Sequence, residues 1–212
     1  MKLLIFGATG GTGKLVVEQA LSKGFGVTAF LRNPEKLSLS DPRLSIVKGD
    51  VLQQSTIDAI MPGHDAVICC LGAPANKAFR LRSEGTKNIL SAMKKYGVTR
   101  FICQTSLGFG DSETLLNNTS FIFRKIIVPL LLKTTFAEHS IQEKTIAESD
   151  VNWTIVRPGI MVDTAYTGAY KHGFDYTDKS VKVKIARADV AHFMLEQLNN
   201  KIYNKKTTGI SY

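Results

Sequence analysis

The chain has 212 residues and a formal net charge of +9, with 44% of its residues hydrophobic and 21% charged. That length holds one α/β domain, and the ordinary balance of apolar and charged residues excludes a disordered chain. The basic residues are dispersed among acidic ones, the densest groups being Lys94-Lys95, Lys182 with Lys184, and Lys201 with Lys205 and Lys206. Without a basic block interleaved with aromatics, a nucleic-acid interface is not expected.

The opening Met1-Lys2-Leu3-Leu4-Ile5-Phe6 is too short for a signal peptide and runs directly into a glycine-rich turn, so it predicts a strand over 2–6. A helix over 12–23 follows, with Val16, Val17, Ala20 and Leu21 on one face and Gly24 as its stop. Apolar, β-branched runs then predict strands over 27–31, 44–48, 66–71 and 100–105, with helices over 53–61 and 80–96 between them and Gly97 ending the second. Beyond residue 105 the pattern loosens. The apolar stretch 121–132 is interrupted by Arg124, Lys125 and Pro129 and is too short to span a bilayer, so it reads as a helix packed over a substrate pocket or against a partner, with a membrane-surface helix as the alternative. A helix over 137–149, a strand over 153–156 and a helix over 188–199 complete the series. Strands alternating with helices specify βαβ units, and hence a single α/β Rossmann domain over 1–212 with a doubly wound parallel sheet. Residues about 107–136 and 158–186 supply the substrate side.

The chemistry concentrates at the carboxyl ends of these strands. Gly7, Gly10 and Gly13 lie between an apolar strand and an amphipathic helix, and with Thr9, Gly11 and Thr12 they form a turn suited to a dinucleotide pyrophosphate. The first glycine permits the tight turn, the second lets the backbone approach the phosphates, and the third allows close helix–strand packing. A nucleoside-triphosphatase loop is excluded, because Ala8 stands where that pattern needs its first glycine and Leu15 follows Lys14. Arg32, ending the second strand, occupies the place where an acidic residue would bind a ribose 2′-hydroxyl; a guanidinium suits a 2′-phosphate instead, and Lys36 adds to it. The expected cofactor is therefore NADPH/NADP. Asp50 and Val51 are expected at the adenine edge, and Leu71, Gly72 and Ala73 beneath the cofactor. Cys69, Cys70 and Cys103 read as small core residues of a protein of the reducing cytoplasm, and His64, His139, His172 and His192 lack ligand spacing, so no metal is expected.

These residues, together with Gly49-Asp50-Val51-Leu52-Gln53, Ser83-Glu84-Gly85, Thr105-Ser106, Arg157-Pro158 and Tyr166-Thr167-Gly168-Ala169-Tyr170, resemble the atypical short-chain dehydrogenase/reductases. The nearest group is the flavin reductase/biliverdin-IXβ reductase-like family, with the NmrA-like NAD(P)-binding proteins as neighbours. The resemblance implies hydride transfer from NADPH to a flat conjugated acceptor such as a flavin, tetrapyrrole or quinone. It also implies that Thr105 and Ser106 face the nicotinamide and that Pro158 and Ile160 line its pocket through their backbone. The usual Tyr-x-x-x-Lys pair is absent, since Ser140 precedes Lys144 by four residues; alcohol dehydrogenation by that route is thereby disfavoured. Ser106, to orient the acceptor, and Lys144, to meet the ribose, remain the candidate catalytic residues. Gly159, where the biliverdin-reducing branch tends to carry a histidine after the proline, favours a broad flavin or quinone reductase. The alternative is a non-catalytic NADP(H)-sensing regulator. No stable membrane insertion is expected, and the chain is expected to be a monomer or dimer.

Overall fold

A computed structural model describes residues 1–72 and 80–212. The first strand, β1 (Lys2–Phe6), leads through the glycine turn into α1 (Gly11–Ser22), then β2 (Gly26–Leu31), β3 (Leu44–Lys48), α2 (Gln54–Ile60), β4 (Ala66–Cys69), α3 (Leu81–Tyr96) and β5 (Arg100–Gln104). A 3₁₀ segment (Gly110–Asn118) and a stretch of wide π-helical turns (Phe123–Leu132) precede α4 (Lys133–Ala147). The remainder comprises β6 (Asn152–Pro158), β7 (Ile160–Val162), β8 (Lys171–His172), β9 (Lys184–Ala186), α5 (Arg187–Glu196) and β10 (Lys206–Ser211).

The main sheet runs β3-β2-β1-β4-β5-β6-β10-β8, parallel throughout except for β8, which pairs antiparallel with β10. Order reverses between β1 and β4, and an open α/β sheet forms its ligand crevice at such a point. Pleating sends alternate side chains to opposite layers. Leu3 and Ile5 join Val16, Val17 and Ala20 of α1 and Val190, Phe193 and Met194 of α5. Leu4 and Phe6 instead meet Ile57, Ile89 and Met93 on the α2–α3–α4 side. Both faces are covered, which is why these strands read as continuous apolar runs rather than as alternating ones. The three cysteines are free and buried in these layers.

The doubly wound architecture agrees with the sequence reading, with shifts at the ends. Helix α4 begins at Lys133 rather than 137, because the π-helical turns run into it, and β4 and β5 stop at Cys69 and Gln104. Strand β10 and the parallel pair β7–β9 had no counterpart in the hydrophobic pattern. Among the described residues no helix is long and apolar enough to cross a membrane.

Candidate functional site

The glycine turn is held by its own main chain. Gly10 N–H donates to the Gly7 carbonyl at 3.0 Å and Lys14 N–H to the Gly10 carbonyl at 2.9 Å. Gly7 has φ +79°, and a Cβ there would lie 2.3 Å from the Cys70 carbonyl oxygen; a Cβ on Gly13 would lie 2.1 Å from the Gly7 carbonyl oxygen. Both contacts are to backbone, so α1 sits against β1 at a distance only glycine allows. Gly10 caps α1 with no side-chain hydrogen bond, and no acid occupies the first turn. The amides and the positive end of the dipole are thus left to an external anion.

Two contiguous cavities open at this end of the sheet. One, of about 460 Å³, is bounded by Gly7, Thr9 and Gly10, by Arg32 and Lys36 at the β2 edge, and by Val51 with Leu71 and Gly72. The other, of about 510 Å³, shares Gly10, Cys70, Leu71 and Gly72 with the first and extends past Gly11, Thr12 and Gly13 to Thr105 and Ser106. Its far wall is Leu132, Thr135, Phe136 and His139 on one side and Met161 on the other. A Cβ on Gly72 would meet nothing within 4 Å, so the seam between the cavities is open cradle rather than filled space. Arg32, Lys36, Arg82 and Arg187 line the two cavities and no carboxylate does, among the described residues. This donor set fits the phosphates of a nicotinamide dinucleotide.

Four expected site residues are not among those lining the two cavities, and Ala73 falls outside the described residues. Lys144 is on the outer face of α4, its side chain 77% exposed, 3.9 Å from Glu148; it is the neighbouring Glu143 that points inward. Ile160 is 39% exposed, whereas Met161, on the opposite face of β7, takes the cavity position. Met161 sulfur accepts from Thr12 Oγ1 at 3.5 Å and Gln104 Nε2 at 3.4 Å. Pro158 is buried, and its carbonyl accepts from Leu107 N–H, bracing the turn after Ser106 from behind. Asp50 closes the turn into α2, its Oδ1 accepting from Leu52 N–H at 3.0 Å. Ser106 does reach the cavity, half-buried, its hydroxyl donating to the Leu107 carbonyl at 2.9 Å.

Several contributors had no sequence signal. Arg187 lays its stem over the turn, for a Cβ on Gly11 would come within 2.8 Å of its Cδ; its guanidinium is held by Asp163 at 2.7 Å. Arg82 is 6% exposed at the start of α3. Burial pushes its pKa down, with Glu138 opposing. Glu138 also accepts from the Arg82 and Ser83 N–H groups and from Ser83 Oγ. Behind Thr105, Glu143 Oε1 accepts from Thr105 Oγ1 at 2.6 Å and from Arg157 Nε at 2.9 Å, while Oε2 accepts from Arg157 Nη2 at 2.6 Å. Arg157 Nη1 reaches Asp111, joining β5, α4, β6 and the 3₁₀ segment in one clamp.

His139 is held neutral: burial, with Arg82 and Arg157 nearby, brings its pKa down to about 4. Gln142 Nε2 donates to Thr86 Oγ1, so its Oε1 accepts from His139 Nδ1–H at 2.9 Å. The remaining ring nitrogen, Nε2, is then an acceptor rather than a proton source. Among the described residues the cavity therefore offers cations, apolar side chains and hydroxyls, and no ready side-chain acid.

The sequence profile of the family described as NAD(P)H-binding matches residues 7–201. An uncharacterized chloroplastic protein of Arabidopsis thaliana is 37% identical over 177 residues, covering 79% of this chain and 61% of that protein. The chain spans still less, 29%, of the Arabidopsis protein TIC 62. Among solved structures, the anaerobilin reductase ChuY of Escherichia coli superposes with a TM-score of 0.80 at 24% identity, covering 100% of this chain and 97% of that one. A short-chain dehydrogenase/reductase of Veillonella parvula in complex with NADP gives 0.78 at 16% identity, covering 100% and 94%. At these identities the structural likeness speaks to the fold.

Proposed function

Because the chain belongs to the NAD(P)H-binding family, we propose that it is an NADPH-dependent reductase that passes a hydride to a flavin or a similar flat conjugated acceptor. The carrying observation is the pair of joined cavities lined by Arg32, Lys36, Arg82 and Arg187 without a carboxylate, among the described residues. The glycine turn and the α1 amides hold the pyrophosphate, with Arg187 beside them. Arg32 and Lys36 take the 2′-phosphate. NADPH supplies the hydride chemistry; the protein supplies position.

On the acceptor side, Phe136 and Met161 give a flat, apolar slot, and Thr105 and Ser106 orient polar atoms at its floor. With Lys144 on the outer face and His139 neutral, the described residues give the slot no proton relay, which favours an electron-poor ring that takes its proton from water over a ketone or alcohol. The names of two structural neighbours, an anaerobilin reductase and an NADP complex, point the same way.

The test is to titrate the protein with NADPH and NADH, then follow NADPH oxidation with FMN, riboflavin, biliverdin and a quinone. Arg32→Ala is expected to weaken NADPH binding by about ten- to a hundredfold, the loss of a hydrogen bond to a charged group, and to leave NADH nearly unchanged. Equal losses for the two cofactors would refute the 2′-phosphate assignment. Tight NADPH binding with no turnover on any acceptor would refute the reductase and leave an NADP(H)-sensing regulator.

A further inference from the structure

One long apolar run, residues 121–132, is left half-buried or exposed by the fold. In the π-helical turns Phe123–Leu132 no residue is buried. Just before and within them, Phe121 is 67% exposed, Ile122 61%, Ile126 47%, Leu130 75% and Leu131 58%. A contiguous exposed apolar surface on a folded domain marks something that covers it.

The charges around this surface indicate what that is. Arg124, Lys125 and Lys133 punctuate it, and no residue of 114–137 is acidic. Lys125 and Lys133 are exposed, and Arg124 Nη1 is steadied by Asn117 Oδ1 at 2.6 Å. A second copy of this chain would bring the exposed Lys125 and Lys133 against their own counterparts, so self-association through this face is electrostatically opposed. An anionic lipid surface satisfies both features, taking the apolar side chains below the headgroups and the cations among the phosphates. The segment is too short to span a bilayer, which leaves it lying in the interface.

We propose that residues 121–133 form a reversible docking surface for anionic membranes. The inner end of the same segment, Leu132, with Thr135 and Phe136 just beyond, lines the acceptor-side cavity, so docking turns that cavity toward the bilayer. The docking itself does not depend on which acceptor, if any, the cavity serves.

The experiment is co-sedimentation of the full chain with phosphatidylcholine vesicles and with mixed phosphatidylcholine/phosphatidylglycerol vesicles, at low and high salt. Binding is expected to the mixed vesicles only, weakened by salt and by Lys125→Gln and Lys133→Gln by about fivefold each. The double change Leu130→Ser/Leu131→Ser keeps every cation and is expected to abolish binding while leaving NADPH affinity and the melting temperature unchanged. As a measurement that does not rest on this double variant, the Leu130→Trp protein should shift its fluorescence to the blue on the mixed vesicles, since the native Trp153 is already buried. No sedimentation, equal binding by the Leu130/Leu131 variant, or an unshifted spectrum of the Leu130→Trp protein would overturn the proposal. So would an oligomer that the Leu130/Leu131 variant dissolves, which would assign the face to a second copy.

Discussion

The clamp behind Thr105 yields a prediction whose size follows from its geometry. Arg157 and Glu143 have side chains only 7% and 11% exposed, and Arg157 meets both carboxylate oxygens. Arg157→Met removes the cation but leaves the Glu143 carboxylate in place, with Thr105 as its one other hydrogen-bond donor among the described residues. Breaking a buried pair from one side costs about 3–5 kcal/mol, and the Thr105 bond places this case toward the lower end, near 3–4 kcal/mol. The Asp111 arm adds little, because that carboxylate is 69% exposed. For a domain stable by about 5–15 kcal/mol this is a large loss, equivalent to a fall of roughly 10 °C in Tm. Glu143→Gln keeps the shape and an acceptor for Thr105, so the double variant Arg157→Met/Glu143→Gln should be more stable than Arg157→Met alone. Urea unfolding followed by Trp153, the single tryptophan and a member of the same strand as Arg157, measures all three. A loss below about 1 kcal/mol for Arg157→Met, or a double variant that loses the sum of the single losses, would refute the reasoning.

Two glycine substitutions should separate packing from binding. Gly13→Ala drives a Cβ into the Gly7 carbonyl, so α1 must leave β1; a cost of about 3 kcal/mol, the upper end for overpacking, and a large loss of NADPH affinity are expected in denaturant and binding titrations. Gly72→Ala meets nothing within 4 Å, so stability should hold within about 0.5 kcal/mol while NADPH binding weakens severalfold; unchanged affinity would mean that the seam is not where the dinucleotide lies. His139 carries a pH signature. In the unfolded chain it takes up a proton near pH 6.5, in the folded protein only near pH 4, so its contribution is fully present above 6.5 and is lost as pH falls toward 4. That loss amounts to roughly 3 kcal/mol, and His139→Gln should flatten the fall of the urea midpoint over this window; identical slopes would show that the ring is not held neutral.

How much could be read from the sequence depended on whether a face was marked by hydropathy. The strands β1 to β5 and helix α1 announce themselves through apolar residues, and with them came Gly7 to Gly13 and Arg32 at strand ends where the fold needs them. Helix α4 hides its orientation. Its buried face is Glu138, His139, Gln142, Glu143 and Ile146, a polar stripe that no apolar periodicity could reveal. Lys144 was therefore expected inside when its neighbour Glu143 is the residue that turns in. Strand β10 was missed for a related reason. Its sequence, Lys206-Thr207-Thr208-Gly209-Ile210-Ser211, has few apolar residues, and Gly209 is covered by Phe174 and Tyr176 from elsewhere in the chain. Arg82 and Arg187 reach the cleft through tertiary packing alone, as does the side chain of Met161, next to Ile160 on β7.

The two halves of the cleft are also held in place by different means. At Gly7 and Gly13 in the glycine turn an added Cβ is opposed by a main-chain carbonyl. The outer part of the acceptor wall is a stretch in which every residue is half-buried or exposed. Mutations can therefore accumulate on its exposed face at little cost to folding, while the glycine turn does not tolerate them at Gly7 and Gly13. A lineage built on this frame can exchange one acceptor for another by drift in residues 121–136 and still inherit an unaltered seat for its dinucleotide.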